Sequence, residues 1–486
     1  MRDALPVLQR LAGAGHDAYF VGGCVRDALL GRPVSDVDIA SSALPGEVVS
    51  LFERTVPTGM KHGTVTVVLE GRSYEVTTFR TESGYEDHRR PSEVAFIRDL
   101  RGDLERRDFT INAMALDAGG RLHDPFGGLA DLQDGVVRCV GEAEERFRED
   151  ALRMLRAVRF AAAFRFRVAK STWRALGLCR PLLAHVAMER VGAELDKMLG
   201  GGEPDRALAL LWRSGLLRHA KRPLAPLPAA RCGLPPVDGL AGTDERWAAV
   251  LLGLGAKPEQ ARGLLGGLAF GARRAGRVAA ALAVHEAVKD DATADAGPAA
   301  VRAQCAMADA GPAAVRAQCA MADAGPAAVR AESAMADAGP AAVRGGGVTA
   351  SAGPTETALG IGGARVRWTS AVIANGREAA GDWLAIMQAL AGRGPDDGGF
   401  ARIDRAYVDS AAEWLEAMPA AAVKELEIGG ADLLAAAGRE PGEWVRDALG
   451  WLLLRCALGI VPNNKEALLE AFRRRPALDG EKGPPE

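Results

Sequence analysis

Two aspartates one residue apart, Asp36 and Asp38, lie in the run GRPVSDVDIA, shortly after the glycine pair Gly22-Gly23 and an Arg-Asp step at Arg26-Asp27. On a strand, alternate residues share a face, so this spacing predicts two carboxylates side by side. Such a pair repels itself unless a cation intervenes, and hard divalent cations prefer oxygen ligands. The glycines let backbone N–H groups approach an anion at a helix start, with Arg26 about one turn further in. Metal on one side and phosphates on the other describe a nucleotide site. Each signal is weak by itself, but strand, glycine turn, helix and acidic strand follow one another within residues 19–40. Short connections of this kind set consecutive strands side by side, facing one cleft.

Two later stretches carry matching chemistry. In Arg106-Arg107-Asp108-Phe109-Thr110-Ile111-Asn112 the forked donors of Arg107 suit a phosphate, and Asp108 and Asn112 share a face if a helix begins there. In REDALRMLRAVRF, Glu149 and Arg153 form an ordinary i,i+4 pair, while Leu152, Leu155 and Val158, extended by Met154 and Phe160, predict a buried helical stripe. The row Asp150, Arg153, Arg156 is less easily explained by packing. An acceptor and a forked donor on adjacent turns match the edge of a base, and Arg156 and Arg159 continue the row toward phosphates. No Cys or His nucleophile is required, and His62 and His123 read as structural.

The elements that must position these residues differ along the chain. Residues 1–140 read as mixed α/β, with a helix start at Pro45, and HGTVTVVLEGRSYEVTTFR as two strands joined at Glu70-Gly71-Arg72. SGYEDHRRPSEV, with Gly84 and Pro91, reads as an exposed mobile loop. From Gly141 the apolar spacing becomes helical. Residues 294–344 hold four near-identical copies of a 14-residue unit, keeping Gly297, Gly311, Gly325 and Gly339 in phase. So short and Ala-rich a repeat buries little apolar surface, and each Gly-Pro breaks a helix, which predicts an inserted, passive segment. The expected organisation is a catalytic head at 1–140, a helical neck at 141–200, a helical body at 201–293, the insertion at 294–347, a helical body and tail at 348–474, and a disordered end at 475–486. Net charge is −3, so no global basic field is present. Residues 138–190, however, carry twelve Lys/Arg against six Asp/Glu, a local basic patch. Seven scattered cysteines without CxxC pairs, an N-terminus broken by charge and the lack of a long apolar run predict reduced thiols, a cytoplasmic location and no membrane.

In this order, GGCVRD…DVDIA, RRDFTINAMA and EDALRMLRAVRF resemble the bacterial class II tRNA nucleotidyltransferases, the CCA-adding enzymes, and the related poly(A) polymerases. The similarity continues through HDPFGG at 123–128 and AHVAMERVGAELDKML at 184–199, and returns in KELEIGGADLLAAAGREPGEWVRDAL, which is similar to the Bacillus-type tail. The resemblance implies an α+β fold: a polymerase-beta-like head with a five-stranded sheet, then an all-α neck, body and tail. It implies that Asp36 and Asp38 bind two Mg²⁺ ions, that Gly22, Gly23 and Arg26 hold the triphosphate of ATP or CTP, and that Arg107, Asp108 and Asn112 line the nucleotide pocket. Asp150 and Arg153 match the family's protein template for the Watson–Crick edge of the incoming base, with Arg156 and Arg159 as further nucleotide contacts. Residues 83–91, with Asp87 and Arg90, match the flexible loop used in the switch from C to A, and Glu75 is a candidate third carboxylate. The expected partner is tRNA, gripped at acceptor stem and elbow, by a homodimeric enzyme. A poly(A) polymerase, a partial enzyme adding only CC or only A, and a catalytically silent RNA-binding protein are the alternatives. Ala151 after Glu-Asp and the Bacillus-type tail favour CCA addition over poly(A) synthesis, and the intact DxD and Arg107 speak against a silent protein.

Overall fold

The structure is a computed structural model that describes residues 1–86, 90–222, 236–292, 362–391 and 404–475. The repeats and the charged C-terminal end lie outside these. The chain divides into two compact units, Met1–Ala279 and Ala280–Glu486.

The first unit opens with α1 (Leu5–Gly13), β1 (Ala18–Val21), α2 (Gly23–Leu29), β2 (Asp38–Ser41), α3 (Pro45–Leu51), β3 (Thr55–Gly59), β4 (Thr64–Leu69) and β5 (Arg72–Thr78). It continues with β6 (Arg80–Glu86), β7 (Arg90–Phe96), α4 (Leu100–Glu105), β8 (Ala115–Leu116), β9 (Leu122–His123), α5 (Gly128–Gln133) and β10 (Val136–Val137). Among the described residues the sheet has seven strands, in the order β3-β4-β5-β2-β1-β8-β9, not the expected five. Two of the seven, β8 and β9, are only two residues long, too short for an alternating pattern to show in the sequence. β2 and β5 pair in parallel and the other neighbours antiparallel, so that Asp38 stands opposite Glu75 in register. The β4–β5 turn forms as its residues dictate, with Glu70 at φ 51° and Gly71 at φ 76°, the left-handed pair that matches strand twist. Alternation is realised as burial: Val65, Val67 and Val76 are fully inside.

Two expectations are corrected here. The polar stretch around residues 83–91 is largely a hairpin rather than a loop, because β6 and β7 pair from Arg80↔Phe96 to Glu86↔Arg90. Thr81 and Phe96 supply β-propensity that the surrounding charge and Pro91 obscured. Asp36 is also not on the strand: β2 begins at Asp38, and Asp36 precedes it in a stretch without regular secondary structure.

Helices then take over: α6 (Ala143–Glu149), α7 (Leu152–Ala163), a two-residue β11 (Arg167–Val168) pairing with β10, α8 (Lys170–Cys179), α9 (Met188–Leu199), α10 (Pro204–Ser214), α11 (Thr243–Gly253), α12 (Pro258–Gly267) and α13 (Ala272–Ala292). Pro204 and Pro258 occupy first turns, where a missing N–H costs nothing. The stripe expected on α7 is buried throughout: Leu152, Met154, Leu155, Val158 and Phe160. The second unit is helical. Gly363–Asn375, Arg377–Ala391 and Arg405–Glu416 enclose the fully buried Trp368 and Trp383, and Gly430–Ala437, Glu443–Ala457 and Lys465–Arg473 share a core of Leu433, Leu452, Leu453 and Leu468. Among the described residues no helix is long and apolar enough to cross a membrane, and Cys24, Cys139, Cys179 and Cys456 are unpaired and buried.

Candidate active site

The glycine turn, the acidic strand and the RRDFTIN segment meet at one point. Gly22 adopts φ 74°, where an L-residue is strained, and a Cβ added there would lie 2.7 Å from Arg107 Nη1 and 4.0 Å from Asp38 Oδ2. Glycine at this position therefore lets backbone, guanidinium and carboxylate approach closely. Arg107 is anchored from behind by Asp103, 3.4 Å away on α4, while its Nε is buried with no hydrogen-bond partner. Asp103 also takes Arg106 at 2.8 Å. Sequence reasoning missed Asp103, although its i+3 and i+4 spacing to the two arginines was the available signal. Asp38 presents surface to solvent, yet crowding by surrounding protein pushes its carboxyl pKa up. Arg107 pulls the other way and Asp36 adds to the rise. Asp36 is exposed, with the Ser35 hydroxyl donating to it at 3.2 Å.

Arg26, expected at the phosphates, points inward. It is 8% exposed, chelates Asp27 at 3.0 and 2.8 Å, donates to Asn112 Oδ1 at 2.5 Å, and lies over the rings of Phe160 and Phe164. Asn112 in turn donates to Asp108 Oδ1 at 2.9 Å, and Asp108 accepts from Arg156 at 2.8 and 2.7 Å. Burial opposes ionisation of Asp108, but Arg156, the Asn112 amide and Arg153 outweigh it and hold its pKa at about 2. Residues 26, 112, 108 and 156 thus form one continuous polar chain from α2 to α7.

The base-matching row is not a single helical face. Asp150 is extended, at φ −140° and ψ 102°, in the joint between α6 and α7, so Asp150 and Arg153 do not stack on adjacent turns. Asp150 accepts two bonds from Arg190, at 3.1 and 2.8 Å, and one from Leu152 N–H at 3.1 Å. Arg153 donates to Glu149 at 2.5 Å, to the Arg146 carbonyl at 3.1 Å and to the Arg106 carbonyl at 2.8 Å. Arg159 pairs with Glu194 at 2.6 Å and covers the Phe160 ring at 4.2 Å. The structure therefore gathers Gly22, Asp38 and Arg107 into one cluster, and Arg26, Asn112, Asp108 and Arg156 into a second. Asp150 lies in the α6–α7 joint and Arg153 in the first turn of α7, and residues 106–108 link all three groups. Gly23 begins α2, and its nearest non-neighbouring atom is Arg26 Nη2 at 3.6 Å from a built Cβ. Asp87 lies outside the described residues, and Arg90 pairs opposite Glu86 on the hairpin.

HDPFGG acts as a brace. Asp124 accepts from Gly128 and Leu129 N–H at 2.7 and 2.9 Å, and Asp131 takes the Thr110 hydroxyl at 2.7 Å. A Cβ on Gly128 would fall 2.2 Å from the Thr110 carbonyl, so the start of α5 packs directly on the RRDFTIN backbone. His123 faces Asp117 at 3.2 Å and the Tyr19 ring, a structural setting.

A glycine turn against an acidic strand in the middle of a mixed sheet, continued by helices that reach back to the site, defines the polymerase-type nucleotidyltransferase architecture. Residues 18–138 match the poly A polymerase head domain, residues 165–225 the "Probable RNA and SrmB- binding site of polymerase A", and residues 400–472 the tRNA nucleotidyltransferase domain 2. A crystal structure of the Bacillus stearothermophilus CCA-adding enzyme in complex with CTP is similar over 97% of this chain and 96% of that one, with 32% identity and a TM-score of 0.69. The CCA-adding enzyme of Geobacillus stearothermophilus is 50% identical over 260 residues, 52% of this chain and 63% of that protein. That of Lactiplantibacillus plantarum is 54% identical over 216 residues, 44% of this chain and 53% of that protein. The matched segments thus span less than two thirds of these two curated relatives. The chain belongs to the tRNA nucleotidyltransferase/poly(A) polymerase family.

Proposed function

We propose that this protein is a CCA-adding tRNA nucleotidyltransferase, using CTP and ATP to build or repair the 3′ end of tRNA with release of pyrophosphate. The observation that carries the reading is the meeting of Gly22, Asp38 and Arg107, in a chain similar over nearly its whole length to the Bacillus enzyme. The residues suit Mg²⁺. Among the described residues no group of three or more protein ligands gathers, and Mg²⁺ is commonly held by one or two carboxylates with substrate phosphates completing its shell. The mutual repulsion that helps raise Asp38 is what a cation beside Asp36 and Asp38 would relieve. When bound, the two metals would activate the RNA 3′-hydroxyl and neutralise the departing pyrophosphate.

The protein's own groups do the rest by position and charge, as nucleotidyl transfer requires. Gly22 and Gly23 let backbone approach the triphosphate, and Arg107, with an unused buried Nε–H, faces it. Arg26, Asn112 and Asp108 hold the floor through Arg156, and Asp150 and Arg153 read the base. tRNA binding through phosphates and shape, a cytoplasmic location and a homodimer belong to the same reading.

The test uses purified protein with tRNA transcripts lacking three, two or one of their terminal nucleotides, supplied with CTP, ATP or both. Stepwise addition of C, C and A is expected, and Asp36→Ala or Asp38→Ala should abolish it while RNA binding persists. Repeated A addition to unstructured RNA with CTP ignored would establish a poly(A) polymerase instead.

A further inference from the structure

Asp150 and Arg153 have to meet a base in one geometry, yet no helix holds Asp150: it occupies the extended joint between α6 and α7. Its position is set from elsewhere. Arg190, in the first turn of α9, forks onto both oxygens, and the two side chains are only 25% and 18% exposed. One turn further along the same helix, Glu194, 3% exposed, holds Arg159. The α9 helix thus grips the joint and α7 with a cation on the acid and an acid on the cation. A bidentate guanidinium fixes both the plane and the direction of a carboxylate, which a single-point ammonium does not.

We propose that Arg190 is a positioning residue that determines nucleotide specificity. This rests on the reading of Asp150 and Arg153 as the base-recognising pair. Held by Arg190 and the Leu152 N–H, Asp150 is an aimed carboxylate that can only accept hydrogen bonds. Cytosine and adenine present an amino donor on the pairing edge, whereas uracil presents a carbonyl, which meets an immobile acceptor as lone pair against lone pair. The two oxygens are not exhausted by three donors, so an amino group can be added without displacing Arg190. If Arg190 is removed, Asp150 can rotate away from an incoming carbonyl, and the penalty against UTP falls.

The experiment measures kcat and KM of the full chain for CTP and for UTP on a tRNA transcript lacking its three terminal nucleotides. It compares wild type, Arg190→Met, Arg190→Lys, Asp150→Ala and the Asp150→Ala/Arg190→Met double variant. Arg190→Met should lose about tenfold of the CTP-over-UTP discrimination, through a higher KM for CTP and a lower one for UTP. Arg190→Lys should recover part of it, and Arg190→Met should add nothing once Asp150 is gone. Arg190→Gln, which keeps a donor and similar bulk, carries the same comparison should the Met variant not fold. Slowing of CTP and UTP by one common factor, or a full effect of Arg190→Met in the Asp150→Ala background, would mean that Arg190 only supports the fold and would overturn the proposal. Discrimination left intact by Asp150→Ala itself would instead remove the base-recognition reading, and this inference with it.

Discussion

Asp108 is where the chemistry of single residues is most exposed to measurement. Buried against Arg156 and Asn112, it has a pKa near 2. A carboxylate depressed in the native state contributes stability above its unfolded pKa of about 3.9, and this is lost as pH falls through the folded value. Its contribution, about 2 kcal/mol, should therefore be complete above pH 5 and vanish between about pH 4 and pH 2. Denaturant unfolding of wild type and Asp108→Asn across that range should show a stability difference that narrows only there; a gap independent of pH would mean that the Arg156 pair is not its source. The same chain explains what single residues conceal in sequence. Arg26 follows the glycines at a spacing that suits phosphate, and nothing local reveals that, besides the adjacent Asp27, its acceptor is Asn112, 86 positions away. Asp150, Arg153 and Arg156 suggested a helical row, but the break at Asp150 was invisible because neither Gly nor Pro marks it.

At the scale of elements, the segment 106–112 is the hinge between sheet and helices. Arg106 offers its carbonyl to Arg153, Arg107 faces Gly22, and Asp108 meets Arg156. Its support by α5 depends on a backbone approach that only glycine permits. Gly128→Val should force the start of α5 off the Thr110 carbonyl, costing roughly 1–3 kcal/mol. Nucleotide incorporation should fall with it, since residues 106–108 move together. Thermal unfolding and incorporation measured on one preparation check this; an unchanged melting temperature would show that α5 yields without strain. The β6–β7 hairpin shows the opposite limit. Strand pairing there overrode a polar composition, because ladder hydrogen bonds between Arg80↔Phe96 and Glu86↔Arg90 do not depend on which side chains face water.

For the whole molecule, the repeat at 294–344 is the segment that a deletion tests most directly. Residues 294–344 lie outside the described residues, between the end of α13 and the helix Gly363–Asn375. Deleting them should leave incorporation within about twofold and stability nearly unchanged, since the length of a connection changes its closure entropy only slowly. A large loss in either would give the repeats a working role. The two units pack different chemistry: one holds the sheet and every site residue named above, the other helices around Trp368 and Trp383 and a second core near the C-terminus.

The amino-acid sequence determined the features that depend on local periodicity and residue type. These are the β4–β5 hairpin with its Glu70-Gly71 turn, the buried stripe of α7, and the set of acids, glycines and arginines able to handle a nucleotide. Tertiary structure decided how those side chains are used. Whether Arg26 turns in or out, which acid holds Arg107, and how Asp150 is aimed by Arg190 from α9 depend on partners far apart in sequence, and burial forces each of those polar groups to find one. Gly22-Gly23 and Asp36-Asp38 are legible as a pair of motifs; that Gly22 lies within a Cβ's reach of Arg107 and Asp38 is a property of the folded chain alone.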